Sequence, residues 1–454
     1  MSDAATPDAK SAAQPELLIH ARWIALAHTE TLLEQHAVAI ADGRIIDILP
    51  SHVARERYHA KETVTLPEHL LIPGLVNLHT HAAMSLMRGM ADDIPLMRWL
   101  KDRIWPVENA LISPEFISDG TRLACAEMLR GGITCFNDMY FFPGDAAAAA
   151  VGLGMRAVLG VTVLEFPSGY ASDAADYLDK GLAALDAWRE HPLINFCLAP
   201  HAPYSVSDAS FEKIQTLSAQ LEVPVHVHIH ETTDEIRQHL EEHGCRPLHR
   251  LNRLGLLGPQ LIGVHAVHLL DDEIATLARN NCNVAHCPTS NLKLGSGIAP
   301  VTEMLTQDIN VGLGTDGAAS NNRLDLLAEM RLASLLAKGK SGDAGILPAW
   351  KALQMATLAG ARALGLERDI GSIEIGKYAD LTAVRMDTLE LSPCFDPVSH
   401  LIHSAGREDV SHVWVQGRCC VFDKILLHFD NANLKNNARL WHNRIVTHLQ
   451  PDAI

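Results

Sequence analysis

Positive charge is what this chain most lacks. Against 54 Asp and Glu it carries only 37 Lys and Arg over 454 residues, a formal net charge of -17 with histidine neutral. A nucleic-acid binder normally shows a basic footprint, so its absence argues against a polyanionic partner and leaves a neutral or cationic small molecule. Paired cysteines are missing too. The nine cysteines are an odd number, scattered without any C-x-x-C spacing, which excludes a disulfide framework and predicts reduced thiols in a cytoplasmic protein. No apolar run reaches membrane-spanning length. The opening MSDAATPDAKSAAQP has neither the basic start nor the apolar block of a secretory signal, and reads as a disordered lead-in over 1–15.

What is present is an ordinary globular composition, 48% hydrophobic and 20% charged, with room for one large domain or two to three modest ones. From about 16 to 66, short β-like runs alternate with turns (ELLIHARWIAL, HAVAIADGRIIDIL, ETVTL), and the same grammar returns between 379 and 423 (ADLTAVRMD, VSHVWVQGR, CCVFD). Two β-rich ends around a long middle predict a small sheet domain assembled from both termini. The last segment, NANLKNNARLWHNRIVTHL, has helical apolar spacing and predicts a closing helix.

Between the ends, eight compact apolar runs alternate with helix-like stretches: LLIPGLVNLHTH, GITCFNDMY, MRAVLGVTVL, LINFCLAPH, VPVHVHIHE, LIGVHAVH, CNVAHCP and NVGLGTDG. Fully buried parallel strands read as continuous apolar runs, and segments such as PEFISDGTRLACAEMLRGG read as crossover helices. The pattern predicts an α/β fold, a (β/α)8 barrel over 71–371, with a β-sandwich over 16–70 and 372–425 and a C-terminal helical segment over 426–454. Barrel enzymes carry their chemistry at the C-terminal strand ends. Here those ends hold His79 and His81, Asn137 and Asp138, His201, the triple-histidine stretch, His265 and His268, His286 and Asp316, while the strand starts stay apolar.

His79-Thr80-His81 points two imidazoles to one face at a strand end. Alone this is a weak signal. Joined to a histidine of the fifth run and to Asp316 in GTDG, it becomes three imidazoles and a carboxylate converging on one axis. Such a set suits a divalent metal, zinc first, with iron or manganese as alternatives. Alternation makes His226, His228 and His230 equivalent and turns Glu231 to the opposite face, so the fifth run by itself does not say which ring is the ligand.

The signatures PGLVNLHTH, HIHET, GVHAVHL, HCPTSNLKLGSGIAP and GTDGAASNN closely resemble the amidohydrolase superfamily, specifically its 5'-methylthioadenosine/S-adenosylhomocysteine deaminase branch, and the likeness spans nearly the whole chain. By the H-x-x-E spacing of that branch, the resemblance implies His228 as the metal ligand beside His79, His81 and Asp316, and Glu231 as the proton shuttle. For Glu231 to reach the mouth, the strand must end or kink at about His230. His226 is then expected as a hydrogen-bonded core residue and His230 as a neighbour of the ligands; His286 receives no role. The implied reaction is attack of metal-bound hydroxide on purine C6 with loss of ammonia, Glu231 moving protons and His265 and Asp316 orienting the nucleophile. Binuclear relatives use a carboxylated lysine on a middle strand; the fourth run has no lysine, so one metal per subunit is expected.

The segment 90–116 is too long for a plain connection and reads as a lid or pocket wall. The resemblance assigns Glu108 in WPVEN to the ribose hydroxyls and His201 in APHAPY to the purine, with Trp99 in the pocket wall. Branch members that bind S-adenosylhomocysteine well present arginines after the third strand, yet 160–178 contains none. The expected preference is 5'-methylthioadenosine, with adenosine and S-adenosylhomocysteine weaker. The alternatives are another aminated or chlorinated heterocycle (guanine, an s-triazine) and a non-catalytic scaffold; the full set of ligands and proton carriers speaks against the scaffold. Exposed edges of a two-ended sandwich would suit a homo-oligomer.

Overall fold

The computed structural model describes residues 14–427 and 429–449, so the greater part of the expected lead-in lies outside the described residues. The chain begins with β1 (Leu17–Leu26), β2 (Thr31–Ala41), β3 (Arg44–Pro50) and β4 (Glu62–Pro73). It continues through the barrel strands β5 (Leu75–Thr80), β6 (Ile133–Asp138), β7 (Arg156–Val163), β8 (Ile194–Pro200), β9 (Val225–Ile229), β10 (Leu261–His265), β11 (Asn283–His286) and β12 (Asn310–Leu313). The closing strands are β13 (Leu381–Arg385), β14 (Val410–Val415), β15 (Arg418–Phe422) and β16 (Ile425–Leu426).

Each of the eight apolar runs contributes one strand to a parallel sheet in sequential order from β5 to β12. The seam between first and last strand is closed by side chains and loops. Asn77 accepts from Thr315 N–H at 2.9 Å and donates to Thr315 Oγ1 at 2.8 Å, while Asp316 N–H donates to the His79 carbonyl at 3.0 Å. The crossover helices start where short polar side chains cap them. Ser113 accepts from Phe116 N–H ahead of helix Pro114–Arg130, and Asp173 accepts from Ala175 and Asp176 N–H ahead of Ala174–Trp188.

The first run divides between two sheets. Residues up to Pro73 finish β4 in the terminal sheet, and Gly74 separates them from β5. A Cβ at Gly74 would meet the Thr134 side chain at 2.1 Å, so only glycine lets the chain pass there. The terminal sheet is mixed, in the order β16-β15-β14-β13-β4-β1-β2-β3, and draws on both ends of the chain. It surrounds its own core of residues such as Ile19, Ile24, Ile40, Leu71, Leu381 and Trp414. Sheet and barrel are joined at the barrel base by the buried Arg156–Asp380 pair, 3.0 Å apart, at the start of β7. Helix Asn431–Leu449 lies against Pro114–Arg130, where Trp441 Nε1–H donates to Asp119 at 3.0 Å.

Candidate active site

β9 runs only from Val225 to Ile229, and His230 follows with φ +52. This left-handed residue breaks the alternation that would have kept Glu231 off the barrel axis. Glu235 holds the turn: its carboxylate accepts from the backbone N–H of His230 at 3.1 Å and of Glu231 at 2.7 Å. The same turn removes His230 from the position expected for it. Its ring faces away from the ligand cluster, accepting from Leu248 N–H at 3.1 Å with Arg246 also at 3.1 Å and Glu273 at 3.6 Å. The physical reason is the φ reversal at His230, which turns its ring toward Arg246 and Leu248 instead of toward His228. His226 stays within the strand, fully buried, with Nε2 3.1 Å from His79 Nδ1.

At the barrel mouth, the ligand atoms of His79, His81 and Asp316 lie within 4.8 Å of one another, as do those of His79, His228 and His265. Asp316 Oδ1 is 3.3 Å from Nε2 of both His79 and His81, and His79 Nε2 is 3.3 Å from His228 Nε2. Backbone carbonyls fix two tautomers. His81 Nδ1 donates to the Met139 carbonyl at 2.6 Å and His228 Nδ1 to the His201 carbonyl at 2.8 Å, which leaves their Nε2 lone pairs facing inward. Inward lone pairs and a carboxylate oxygen this close repel one another unless a cation sits between them, so the donor set fits a divalent metal. Burial favours the neutral imidazoles that metal binding needs: it lowers His79 to about 4 and His228 well below its ordinary value.

Asp316 is held from behind. Its Oδ2 accepts from Ser290 Oγ at 2.6 Å and Ser320 Oγ at 2.7 Å, and Oδ1 accepts from Gly317 N–H at 2.7 Å. Burial works to raise this carboxyl, but the His79 hydrogen bond and the surrounding imidazoles hold it well below the usual range. His265 Nδ1 is bound to Asn291 Oδ1 at 2.8 Å, and its Nε2 lies 3.8 Å from Glu231 Oε2. Burial raises the Glu231 carboxyl, His265 pulling it back and Asp316 adding to the rise. His265 and Asp316 both have positive φ, +70 and +61. Their left-handed backbones turn the side chains over the barrel axis, a local cost of the kind that clusters at functional sites.

Above this floor opens a cavity of about 250 Å³, lined by His81, His228, Glu231, His265 and Asp316 below and by Trp99, Glu108 and His201 around it. His79 lies beneath, fully buried. Its roof is the segment Leu96–Leu111. Trp105 N–H reaches back to the Leu100 carbonyl in one wide helical turn just before Pro106, which has no N–H to continue a regular ladder. Glu108 keeps part of its surface on the cavity, and burial of its carboxyl pushes it up to about 7. Its carboxylate accepts from Tyr140 Oη at 2.6 Å. His201 Nδ1 is 2.9 Å from Ser205 Oγ, and burial lowers its ring to about 3. The apolar part of the wall includes Ile104, Ile112, Phe141, Leu164 and Phe166, with Trp105 edge-on to Phe166 at 5.9 Å, beside polar lining residues such as Asn109, Thr162 and Ser168. The lining residues include no Arg or Lys.

Asn137 and Asp138 close β6 without joining the cluster. Asn137 donates to the Leu78 carbonyl at 3.1 Å, and Asp138 accepts from Ala82 N–H at 2.7 Å, fixing the loop that carries His81. His268 bonds the Ser296 carbonyl, and His286 is buried outside the cavity lining. Sequence reasoning gave no role to Tyr140, Asn291, Ser290, Ser320 or Glu235. Asn291 and the two serines sit inside the HCPTSNLKLGSGIAP and GTDGAASNN signatures, but nothing in a linear string ties them to His265 or Asp316.

Residues 70–420 match the amidohydrolase family. The chain is 44% identical over 431 residues to a 5-methylthioadenosine/S-adenosylhomocysteine deaminase of Saccharophagus degradans, covering 95% of this chain and 97% of the relative. Among solved structures it resembles a zinc-bound adenosine deaminase from Xanthomonas campestris, at 47% identity and a TM-score of 0.94 over 96% of this chain and 99% of that one. It also resembles a zinc-complexed atrazine chlorohydrolase from Arthrobacter aurescens, at 25% identity and a TM-score of 0.87 over 94% and 99%.

Proposed function

The chain belongs to the amidohydrolase family, and we propose that it acts there as a metal-dependent hydrolytic deaminase of the 5'-methylthioadenosine/S-adenosylhomocysteine class, preferring 5'-methylthioadenosine. It is a hydrolase of C–N bonds in adenosine-type nucleosides, the activity named for relatives at 44% identity. The triazine reading is weaker. It rests on a relative at 25% identity, and a free heterocycle has no ribose hydroxyls to offer the lone pairs that Tyr140 leaves open on Glu108.

His79, His81, His228 and Asp316 would hold one divalent ion, for which we propose zinc, on the strength of the nitrogen and carboxylate donors and of the zinc in the Xanthomonas structure. When bound, such an ion brings a water's pKa toward neutrality and supplies the nucleophile for purine C6. Asp316 and His265, the latter steadied by Asn291, would orient the attacking water. Glu231, a carboxyl raised by burial, would give its proton to purine N1, take one back from the oxygen added at C6, and pass that proton to the leaving amino nitrogen. Glu108 accepts the ribose hydroxyls, His201 faces the purine, and Trp99 with the apolar wall excludes water.

The cavity's lack of Arg and Lys carries the substrate preference. An amino-acid tail would extend beyond Glu108 with no cation in the cavity lining to pair its carboxylate, whereas a methylthio group suits Ile112, Phe141 and Phe166. Kcat/KM measured for 5'-methylthioadenosine, adenosine and S-adenosylhomocysteine tests this. The first should lead, and a lead for S-adenosylhomocysteine would overturn the preference. The nine unpaired cysteines support a cytoplasmic location. Exposed Leu389 and Phe395 support self-association, which sedimentation would read.

A further inference from the structure

The end of β6 supplies the cavity with Tyr140, a residue the reaction scheme above does not use. Its hydroxyl donates to Glu108 Oε1 at 2.6 Å, and among the described residues no other side chain binds that carboxylate. Tyr140 is itself well anchored: it is buried, its carbonyl accepts from Thr162 Oγ1 at 2.9 Å, and its ring packs on Phe141 at 5.1 Å. Glu108, by contrast, stands on the short helix Trp105–Leu111 behind the wide turn, where its side chain has torsions to spare. A carboxylate offers about four lone-pair positions. With one taken by the phenol, the remaining oxygen and lone pairs form a fixed acceptor edge, matched to two hydroxyl donors on adjacent carbons.

We propose that Tyr140 is a specificity-determining residue, which locks Glu108 in the orientation that accepts a vicinal diol and so makes the site favour ribonucleosides over deoxyribonucleosides. This rests on Glu108 being the ribose acceptor. Buried without a cation nearby, Glu108 also depends on such donors to remain an acceptor: burial raises its carboxyl, the Tyr140 hydrogen bond pulls it back, and the two together leave it at about 7.

The test compares the metal-loaded wild type with Tyr140→Phe, Tyr140→Gln and Glu108→Gln. Kcat and KM are read separately for adenosine and 2',3'-dideoxyadenosine. Each preparation yields a ratio of the two KM values that does not depend on the fraction folded. Tyr140→Phe should raise KM for adenosine about tenfold relative to the dideoxy substrate, the scale of a lost hydrogen bond to a charged group, with kcat changing less than KM. Tyr140→Gln, which restores an N–H donor, should recover part of the discrimination. If Glu108→Gln erases the discrimination while Tyr140→Phe leaves it intact, the role of Tyr140 is refuted and that of Glu108 stands. If Glu108→Gln affects both substrates equally, the ribose reading itself fails, and this proposal with it.

Discussion

On the cavity floor the inward-facing side chains are tied at their far ends: His81 to the Met139 carbonyl, His228 to the His201 carbonyl, Asp316 to Ser290 and Ser320, and His265 to Asn291. Across the cavity, the roof segment Leu96–Leu111 presents Trp99 and Trp105 by packing alone and Glu108 by a single hydrogen bond. The floor sits on strand ends and the turns that leave them; the roof is an inserted helix with a wide turn at its middle. Reaction geometry thus belongs to a stiff scaffold, and substrate choice to an element whose apolar surface can be exchanged without disturbing the metal set.

The comparison can be broken most severely at the floor. His228→Ala removes one of the inward lone pairs and should abolish both bound metal and deamination, read by elemental analysis beside an ultraviolet assay. A variant that kept its metal and activity would move the centre elsewhere. Glu231→Gln should cost about 10²–10⁴-fold in kcat while metal content stays at the wild-type level, because it removes the proton carrier and no ligand.

Acid should expose the same asymmetry in the chelated protein. Burial holds His79 at about 4 and His201 at about 3 in the folded state, against the ordinary 6.5 of an imidazole. The unfolded chain therefore takes up protons that these rings refuse. Stability should be intact above about pH 6.5 and should fall as pH drops from there toward 4, by up to about 1.4 kcal/mol per pH unit for each such ring. Thermal unfolding from pH 7.5 to 4.5 measures this, and a flat profile would contradict it.

The smallest effects belong to the apolar wall on which the roof's Trp105 packs. Phe166→Ala should raise KM for 5'-methylthioadenosine a few-fold through the lost aromatic contact with Trp105 and leave adenosine nearly unchanged. Phe166→Arg should sharpen the contrast by bringing S-adenosylhomocysteine closer to 5'-methylthioadenosine in kcat/KM. Equal changes for all three substrates would show that this wall does not contact the 5' tail.

Much of the barrel was readable because buried parallel strands leave an unmistakable linear trace: each of the eight apolar runs contains a strand. The polar residues at their ends were equally visible. Less visible was that LLIPGLVNLHTH contains two strands in two different sheets, since continuous apolarity carries no mark where hydrogen-bonding partners change. His230 shows a second limit. Its type and spacing matched His226 and His228, and only the φ reversal after Ile229 distinguishes it. Tyr140, Asn291 and Glu235 mark a third, because hydrogen bonds such as Tyr140 to Glu108, 32 residues apart, have no periodic signature.

The amino-acid sequence alone determined the eight-strand barrel, the two-ended sheet and the strand-end histidines with Asp316; the pairing of His228 with Glu231 came only from the family resemblance. Those features depend on side-chain periodicity and residue type, which are local. Tertiary structure alone decided how Glu231 reaches the axis, which nitrogens of His81 and His228 face inward, and what holds Glu108. These depend on backbone dihedrals at single residues and on hydrogen bonds between distant strands, and both are fixed only when the barrel closes.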